Sequence, residues 1–400
     1  METIVVIGGG QAAAVAAYTL RQEGYSGALH VVSDEQNVFY ERPPLSKQNL
    51  LAPTELSAIQ FYTPDVIAGL MIDWHLGRRA VDLNTQAKVV RLCNGDQLAY
   101  DKLLLATGSS ARIINPAWLQ LENVHELRSF LHSHRLRECL EQSQRLVVIG
   151  GGWIGLEVAA SARQRGLAVT VLERGEQVCG RSVTSEVAQF LQNLHQSEGV
   201  EILTHCGAIE LAQGDSQTVQ VFIENELYST ADAVLIAAGA QLNTELACVA
   251  GLEVQGAVVV NEYCQTSEPD IYAAGDVAIH PALGISMQSW AHAQNQGATA
   301  AKHMVGKEEP YQDIPWLWSD QYDCNIQMLG TPSPSLSCVM RESGARQKTF
   351  FYFDENKVLR YVVAVNDAKN IKIAKRWMQR QVTVTPEQVA DLNINLMTIK

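Results

Sequence analysis

The residues that most clearly predict chemistry are two glycine-rich turns. The hexapeptide VVIGGG occurs at residues 5–10 and again at 147–152 of this 400-residue chain. In such a turn the first glycine permits a tight bend, the second lets the backbone approach a pyrophosphate, and a small third residue permits close packing of helix on strand. These positions are Gly8, Gly10 and Ala13 in the first copy and Gly150, Gly152 and Gly155 in the second. Each copy therefore predicts a dinucleotide site.

An acidic residue follows each turn at the distance that a dinucleotide site needs. A carboxylate at the end of the second strand accepts hydrogen bonds from the adenosine ribose. Asp34, with Glu35 beside it, fills this place in the first copy, and Glu173 fills it in the second. A glycine turn in an ordinary doubly wound sheet is the alternative interpretation, but two copies with a downstream acid favour dinucleotide binding.

Each turn must be positioned by a strand before it and a helix after it. Apolar β-branched runs flank small and apolar residues at helical spacing in both copies, which predicts strand, helix and strand. The predicted elements are residues 4–7, 12–23 and 28–32 in the first copy, and residues 146–149, 154–165 and 168–172 in the second.

Three further apolar strands run into a glycine. They cover residues 103–109, 234–240 and 271–277, and each ends where ligands bind at the carboxyl edge of a parallel sheet. Two dinucleotide sites in one chain favour one permanently bound cofactor and one that exchanges, as in flavoprotein reductases.

Composition narrows the function classes. The formal charge of −13 disfavours a nucleic-acid partner, because neutralising phosphates requires a basic face. The eight cysteines form no CxxC pair and no cysteine–histidine cluster at metal spacing, so no metal site is predicted. An N-terminus without a basic signal region and the lack of a long apolar segment favour a cytoplasmic protein that does not engage a membrane.

Four motifs in a fixed order identify a family resemblance. YERPPLSK begins at Tyr40, GGGWIGLE at Gly150, GDVA at Gly275 and PWLWSDQY at Pro315. Together they resemble the ferredoxin reductase components of bacterial ring-hydroxylating dioxygenases and the putidaredoxin reductase type, which are flavoproteins of the glutathione reductase fold. Disulfide reductases and NADH oxidases or peroxidases of that fold carry cysteine near the first motif, whereas this chain has none there.

The resemblance implies an α/β fold with two Rossmann-like domains and a C-terminal α+β interface domain on a mixed sheet. An FAD-binding domain is expected at residues 1–113 and 242–315, because the GD motif returns to the first sheet. A NAD-binding domain is expected at 114–241 and the interface domain at 316–400. The last domain contains strand-like runs at 348–353 and 358–365 and a basic helical segment at 369–380.

The resemblance also implies roles for individual residues. Lys47 is expected near the flavin and paired with Glu157, and we interpret these two as the catalytic residues. The residues expected at FAD are Gly8, Gly10, Gln11, Ala12, Ala13, Asp34, Glu35, Arg42, Lys47, Ala80, Ala106, Thr107, Gly108, Arg128, Gly275, Asp276, Trp290 and Trp318. Those expected at the nicotinamide dinucleotide are Gly150, Gly152, Ile154, Gly155, Glu157, Glu173, Arg181 and Gly239.

The implied activity is electron transfer from NADH through FAD to a [2Fe-2S] ferredoxin that feeds an aromatic-ring oxygenase. Glu173 favours NADH because a carboxylate repels a 2′-phosphate, although Arg174 and Arg181 could attract one. The segment from Lys357 to Arg380 carries a net charge of +6 and predicts a ferredoxin-docking patch that includes Lys372, Lys375 and Arg376. An NADH oxidase or peroxidase, or an apoptosis-inducing-factor-like NADH sensor, is the alternative.

Overall fold

The computed structural model describes residues 2–215 and 217–399, which divide into two compact units. Unit 1 comprises Met1–Arg42, Glu55–Ser110 and Ala240–Asp313. Unit 2 comprises Pro43–Thr54, Ala111–Gly239 and Ile314–Lys400. No helix in the described part of the chain is long and apolar enough to cross a membrane. The same residues contain no group of three or more histidine, cysteine or carboxylate side chains that could hold a metal ion.

Strands and helices alternate through much of the chain. The strands are β1 (Thr3–Ile7), β2 (Ala28–Ser33), β3 (Asp73–Leu76), β4 (Ala80–Asn84), β5 (Val89–Leu92), β6 (Gln97–Ala99), β7 (Lys102–Leu105), β8 (Ser109–Ala111), β9 (Val124–Glu126), β10 (Arg145–Ile149), β11 (Ala168–Leu172), β12 (Glu201–Leu203), β13 (Ile209–Gln213), β14 (Val219–Ile223), β15 (Glu226–Ala231), β16 (Ala233–Ile236), β17 (Ala240–Leu242), β18 (Ile271–Ala273), β19 (Trp316–Gln321), β20 (Cys324–Gly330), β21 (Ser337–Gly344), β22 (Gln347–Phe353) and β23 (Leu359–Val365). The α-helices are α1 (Gln11–Gln22), α2 (Gln48–Leu51), α3 (Pro64–Gly69), α4 (Phe130–Gln142), α5 (Trp153–Gln164), α6 (Ser185–Ser197), α7 (Glu245–Val249), α8 (Trp290–Met304), α9 (Ala368–Arg380) and α10 (Pro386–Ala390). Short 3-10 helices cover Pro43–Ser46, Leu56–Ile59, Pro116–Gln120 and Leu396–Thr398.

Unit 1 is organised around a parallel sheet in the order β18-β7-β1-β2-β3. Alternate residues of β1 enter two different cores. Ile4 and Val6 pack in the cluster that contains the alanines of α1, whereas Val5 and Ile7 pack in the cluster on the other face. Burial on both faces explains why the strand is a continuous apolar run.

A second parallel sheet, in the order β12-β11-β10-β16-β9, organises the first part of unit 2. β10, α5 and β11 occupy the places in this sheet that β1, α1 and β2 occupy in unit 1. The sequence repeat is therefore a repeat of strand, turn and helix at the centre of two parallel sheets.

The C-terminal part of unit 2 is a five-stranded sheet in the order β19-β20-β23-β22-β21. Every neighbouring pair in it is antiparallel, so the expectation of a mixed sheet was wrong. The reason is local, since short turns join β19 to β20, β21 to β22 and β22 to β23, and such turns can connect only antiparallel strands. One face of this sheet packs with α5 and α6, and the other packs with α9 and α10.

Candidate functional site

The turn between β1 and α1 has the shape of a phosphate cradle. Gly8 has φ +134°, and a Cβ there would lie 2.0 Å from the Ala106 carbonyl oxygen, so only glycine fits. A Cβ on Gly10 would meet no atom closer than Arg42 Nε at 3.9 Å, which leaves room beside the start of α1. The amides of the first turn of α1 have no side-chain cap, and such amides bind anions.

Unit 2 repeats this geometry between β10 and α5. A Cβ on Gly150 would lie 2.4 Å from the Ala237 carbonyl oxygen, and a Cβ on Gly155 would lie 2.1 Å from the Gly150 carbonyl oxygen. A Cβ on Gly152 would have no atom within 4 Å, so space is again available at the helix N-terminus. Ile154, in the first turn of α5, is exposed. Both turns therefore fit a pyrophosphate.

The acids that follow the two turns are arranged differently. Glu173 Oε2 accepts from the Gly151 amide at 2.7 Å and Oε1 accepts from the Gly175 amide at 2.6 Å, so this carboxylate is held against its own turn. Strand register pairs Ile149 with Leu172 and Ile7 with Val32, so the residue in unit 1 that corresponds to Glu173 is Ser33, not an acid.

Asp34 and Glu35 lie just beyond that position and have partners of their own. Asp34 is exposed and forms an ion pair with Arg79 at 3.2 Å. Glu35 pairs with Arg42 at 2.7 Å and accepts a hydrogen bond from the Tyr40 hydroxyl at 2.5 Å. Arg79 and Tyr40 are not among the residues predicted from the sequence, although Tyr40 opens the YERPPLSK motif.

The carboxyl ends of β7 and β18 bring the next group of expected residues to one edge of the unit 1 sheet. Thr107 exchanges two hydrogen bonds with Asn243, of 2.7 and 2.8 Å, which fixes the turn that follows β7. Asp276 Oδ2 accepts from the Ser109 hydroxyl at 2.7 Å, so the GD motif is tied to the segment after Gly108.

Helix α8 begins close to this edge. The Gly275 amide donates to Gln296 Oε1 at 3.0 Å, and Gln11 of α1 donates to Gln294 at 3.2 Å. Trp290, the first residue of α8, stacks on Phe61 with ring centroids 6.5 Å apart. Ala12 and Ala13 are buried where α1 meets α8, and Ala80 is half-buried at the start of β4.

Lys47 and Glu157 form a buried ion pair in unit 2. Lys47 Nζ lies 3.0 Å from Glu157 Oε1, and the two side chains are only 15% and 7% exposed. The Ser46 hydroxyl also donates to Glu157, as does the Ser319 hydroxyl at 2.6 Å. Neither serine is among the residues predicted from the sequence. The sequence does offer a hint of both, because each is a polar residue next to a residue expected at the site. Ser46 precedes Lys47, and Ser319 follows Trp318.

Four further expected residues lie in unit 2, namely Trp318, Arg128, Gly239 and Arg181. Trp318 stacks on Trp316 with centroids 5.2 Å apart and donates from Nε1 to Asp320 at 3.2 Å. Arg128 is half-buried and immediately precedes Ser129, whose side chain caps α4. At the end of β16, Gly239 lies beside Arg181, whose Nη2 would be 3.1 Å from a Cβ at that glycine.

Comparison with known proteins decides the family. Residues 2–297 match the family model of pyridine nucleotide-disulphide oxidoreductases. The chain belongs to that family. Residues 316–400 match a second model, described as reductase C-terminal. This pyridine nucleotide-disulphide oxidoreductase has Lys47, and no cysteine, in the segment from Tyr40 to Lys47.

Curated members of the family resemble this oxidoreductase over almost their whole length. A 3-phenylpropionate/cinnamic acid dioxygenase ferredoxin–NAD(+) reductase component from Photorhabdus laumondii is 34% identical, covering 94% of this chain and 96% of its own. Rhodocoxin reductase from Rhodococcus erythropolis is 33% identical, covering 98% and 93%.

Solved structures of ferredoxin reductases also resemble this chain over almost their whole length. A ferredoxin reductase for the CYP199A2 system of Rhodopseudomonas palustris superimposes with a TM-score of 0.94 at 31% identity, covering 99% of both chains. Putidaredoxin reductase, in a covalent complex with putidaredoxin, gives 0.92 at 32% identity, covering 100% of this chain and 98% of its own. The predicted α/β fold class and the resemblance to ferredoxin reductases are confirmed.

Proposed function

We propose that this oxidoreductase is an FAD-dependent NADH:ferredoxin reductase that delivers single electrons to a [2Fe-2S] ferredoxin serving an aromatic-ring dioxygenase or a related oxygenase. The observation that carries the proposal is the presence of a complete dinucleotide turn in each unit, together with a buried ion pair between Lys47 and Glu157. Bound FAD supplies the ability to accept a hydride and to release its two electrons one at a time.

The first turn and its surroundings fit FAD. Gly8 and Gly10 leave space for the pyrophosphate at α1, while Asp34 and Glu35 supply acceptors for the adenosine ribose. The other residues expected at FAD in unit 1 lie near the carboxyl edge of its parallel sheet, where Asp276 supplies a carboxylate. We assign FAD binding to residues 1–113 and 242–315.

The second turn is assigned to NADH. Gly150, Gly152 and Gly155 make room for its pyrophosphate, and Glu173 supplies a carboxylate that is already oriented by two amides. Arg181 and Gly239 complete this site at the end of β16. We assign NADH binding to residues 114–241 and the interface domain to 316–400.

Lys47 and Glu157 are assigned to the reaction itself. A buried ammonium favours an anionic neighbour, so Lys47 would stabilise the charge that the cofactor gains when it is reduced. When no such anion is present, the negative charge of Glu157 compensates the positive charge of Lys47. The same contact fixes the direction of the Lys47 ammonium group. Neither residue needs to accept or deliver a proton during hydride transfer.

Helix α9 is the proposed ferredoxin-docking surface. Ile371, Ala374 and Trp377 bury one side of the helix, so its cations lie on the other. Lys372 is exposed and Lys375 is half-buried one turn later, whereas Arg376 donates to the carbonyl oxygens of the C-terminal segment. Arg360, outside α9, is paired with Asp354, so its charge is offset.

Opposite charge on a small ferredoxin would make this helix a steering surface for encounter. The eight cysteines are all free, which fits a reducing compartment, and we propose that the protein works in the cytoplasm.

The test is reconstitution of electron transfer from purified components. The purified protein should contain one non-covalent FAD per chain, and NADH should bleach the flavin absorbance without oxygen. With a [2Fe-2S] ferredoxin present, NADH should reduce cytochrome c at a rate that depends on ferredoxin concentration. Rapid NADH oxidation by oxygen without ferredoxin would favour an oxidase. A stable NADH complex that reacts with no ferredoxin would favour a sensor.

A further inference from the structure

Glu157 is the end point of a buried chain of hydrogen bonds in unit 2. The Ser319 hydroxyl donates to Glu157 Oε1 at 2.6 Å, and Gln321 Nε2 donates to Ser319 Oγ at 3.0 Å. Gln321 Oε1 lies 2.8 Å from His195 Nε2, and His195 Nδ1 lies 3.1 Å from the Tyr322 hydroxyl. Ser319 and His195 are fully buried, and Gln321 is 1% exposed.

The chemistry of these groups gives the chain one direction. Ser319 has a single hydroxyl hydrogen, which Glu157 receives, so Ser319 must accept from the Gln321 amide nitrogen. The Gln321 carbonyl oxygen must then accept, which places a hydrogen on His195 Nε2. His195 Nδ1 is therefore the acceptor for the Tyr322 hydroxyl. Every donor in the chain points toward the Glu157 carboxylate.

The two titratable side chains at the far end of this chain, His195 and Tyr322, are kept neutral by burial near neutral pH. Burial lowers the pKa of His195 to about 4, so the imidazole stays neutral. Burial raises the pKa of Tyr322, and it raises the pKa of the Cys179 thiol, which also lies near Glu173 and Glu157. The remaining charged groups are Lys47 on Glu157 and, near His195 and Tyr322, Glu198 with its partner Arg346.

The strand pattern explains how one segment supplies both this chain and the tryptophan motif. Successive side chains of a strand point to opposite faces, so Ser319 and Gln321 of β19 lie on one face and Trp316 and Trp318 on the other. The face with Ser319 packs against α5, which carries Glu157.

We propose that Ser319 and Gln321 are positioning residues that hold the Glu157 carboxylate ionised and directed at Lys47. The proposal rests on the function proposed above, in which Lys47 must keep its ammonium group during reduction of the cofactor. If the hydrogen bonds serve only to satisfy buried polar atoms, their loss would lower stability without changing the protonation of Glu157.

The experiment compares the flavin-containing wild-type protein with Ser319→Ala, Ser319→Thr and Thr349→Val. Ser319→Thr keeps the hydroxyl. Thr349→Val is the matched control, because Thr349 is a fully buried hydroxyl of the same sheet that bonds to Asp367 and Asn370, outside the chain. Infrared titration follows the C=O stretching band of a protonated carboxylic acid. The band that is absent from Glu157→Gln is assigned to Glu157. Stopped-flow absorbance measures the rate of flavin reduction by NADH across the same pH range.

In Ser319→Ala we expect the assigned band to appear at a pH about 1 to 2 units higher than in the wild type, the shift that corresponds to one lost hydrogen bond to a charged group. The pH at which flavin reduction reaches half its maximal rate should move by the same amount, with an unchanged KM for NADH. Ser319→Thr and Thr349→Val should titrate like the wild type.

Gln321→Leu provides a second variant if Ser319→Ala does not fold, and its band should shift in the same direction by a smaller amount. An infrared titration of Ser319→Ala or Gln321→Leu that superimposes on the wild type would overturn the proposal, as would an equal shift in Thr349→Val. If the wild-type protein fails to transfer electrons from NADH to any ferredoxin, the proposed function fails, while the infrared titration still reports on Glu157.

Discussion

The ammonium group of Lys47 lies 3.0 Å from Glu157 Oε1, and neither side chain is more than 15% exposed. Removing one partner of a buried ion pair leaves an uncompensated charge in the protein interior. Lys47→Met should therefore lower the free energy of unfolding by about 3 kcal/mol and slow flavin reduction by NADH. Denaturant unfolding and stopped-flow absorbance measure the two effects.

The control for this prediction is an ion pair at the surface. Arg91 and Asp82 are 3.4 Å apart and about half exposed, so Arg91→Met should lower the free energy of unfolding by less than about 1 kcal/mol. The double variant Lys47→Met with Glu157→Gln should recover part of the lost stability, because it removes both charges. Equal stability loss in Lys47→Met and Arg91→Met would contradict the burial argument.

Gly10→Val should produce a folded protein without FAD. A Cβ at Gly10 meets nothing closer than 3.9 Å within the chain, so the valine would occupy the space proposed for the pyrophosphate. Gly152→Val should fold, keep its yellow colour and lose NADH binding, since its Cβ also points into open space. Absorbance spectra and equilibrium titration with NADH distinguish the two variants.

Gly8→Ala provides the contrast, because its Cβ would lie 2.0 Å from a backbone oxygen and should destabilise the fold itself. A Gly10→Val protein that retains a full complement of FAD would refute the assignment of the first turn.

The wild-type protein should prefer NADH over NADPH by at least about tenfold in kcat/KM, which corresponds to about 1.4 kcal/mol. Glu173 is held in place by the Gly151 and Gly175 amides, so its negative charge cannot easily move away from a 2′-phosphate. Glu173→Ala should reduce this preference, and Arg181→Ala should lower any remaining activity with NADPH. Equal kcat/KM for the two coenzymes in the wild type would mean that the nearby arginines outweigh Glu173.

Stability should fall as the pH decreases from about 6.5 to about 4, partly because of His292. Burial, with His280 nearby, lowers the pKa of His292 to about 4. In this pH range the unfolded chain binds a proton that the folded protein does not, so acid favours unfolding by at most about 3 kcal/mol for this residue. Calorimetry at several pH values measures the melting temperatures of the wild type and of His292→Gln. The two temperatures should become more similar as the pH falls toward 4.

His134→Gln is the matched control, since His134 is 43% exposed and paired with Glu138. Its pH profile of melting temperature should follow the wild type. A His292→Gln profile that is as steep as the wild type would assign the acid sensitivity to other groups.

Reversing the charges of Lys372 and Lys375 should lower the second-order rate of ferredoxin-dependent cytochrome c reduction by about tenfold at low salt and flatten its salt dependence. Reduction of ferricyanide by NADH should not change. Arg376 is better tested separately as Arg376→Gln, because it holds the carbonyl oxygens of Met397 and Ile399. Two reversals in unit 1, at Arg91 and Lys307, control for the change in total charge. Unchanged rates and salt slopes in the Lys372 and Lys375 double variant would exclude α9 as the docking surface.

Sequence by itself determined the features whose causes are local. The strand, turn and helix of both dinucleotide units follow from glycine spacing and apolar periodicity, and each observed element lies within two residues of its predicted bounds. The α9 segment was also predictable, because its apolar and basic residues alternate at helical spacing. The family motifs supplied the fold class and the pairing of Lys47 with Glu157, which spacing could not have supplied.

Only the tertiary structure decided the contacts between distant residues. The hydrogen bond from Ser319 to Glu157 joins residues 162 positions apart, and it exists because β19 packs against α5. Strand register showed that Ser33, not Asp34, corresponds to Glu173, a one-residue difference that motif spacing cannot resolve. The antiparallel C-terminal sheet depends in the same way on which strands pair. Such contacts depend on how whole elements pack, and a local sequence pattern does not encode its distant partner.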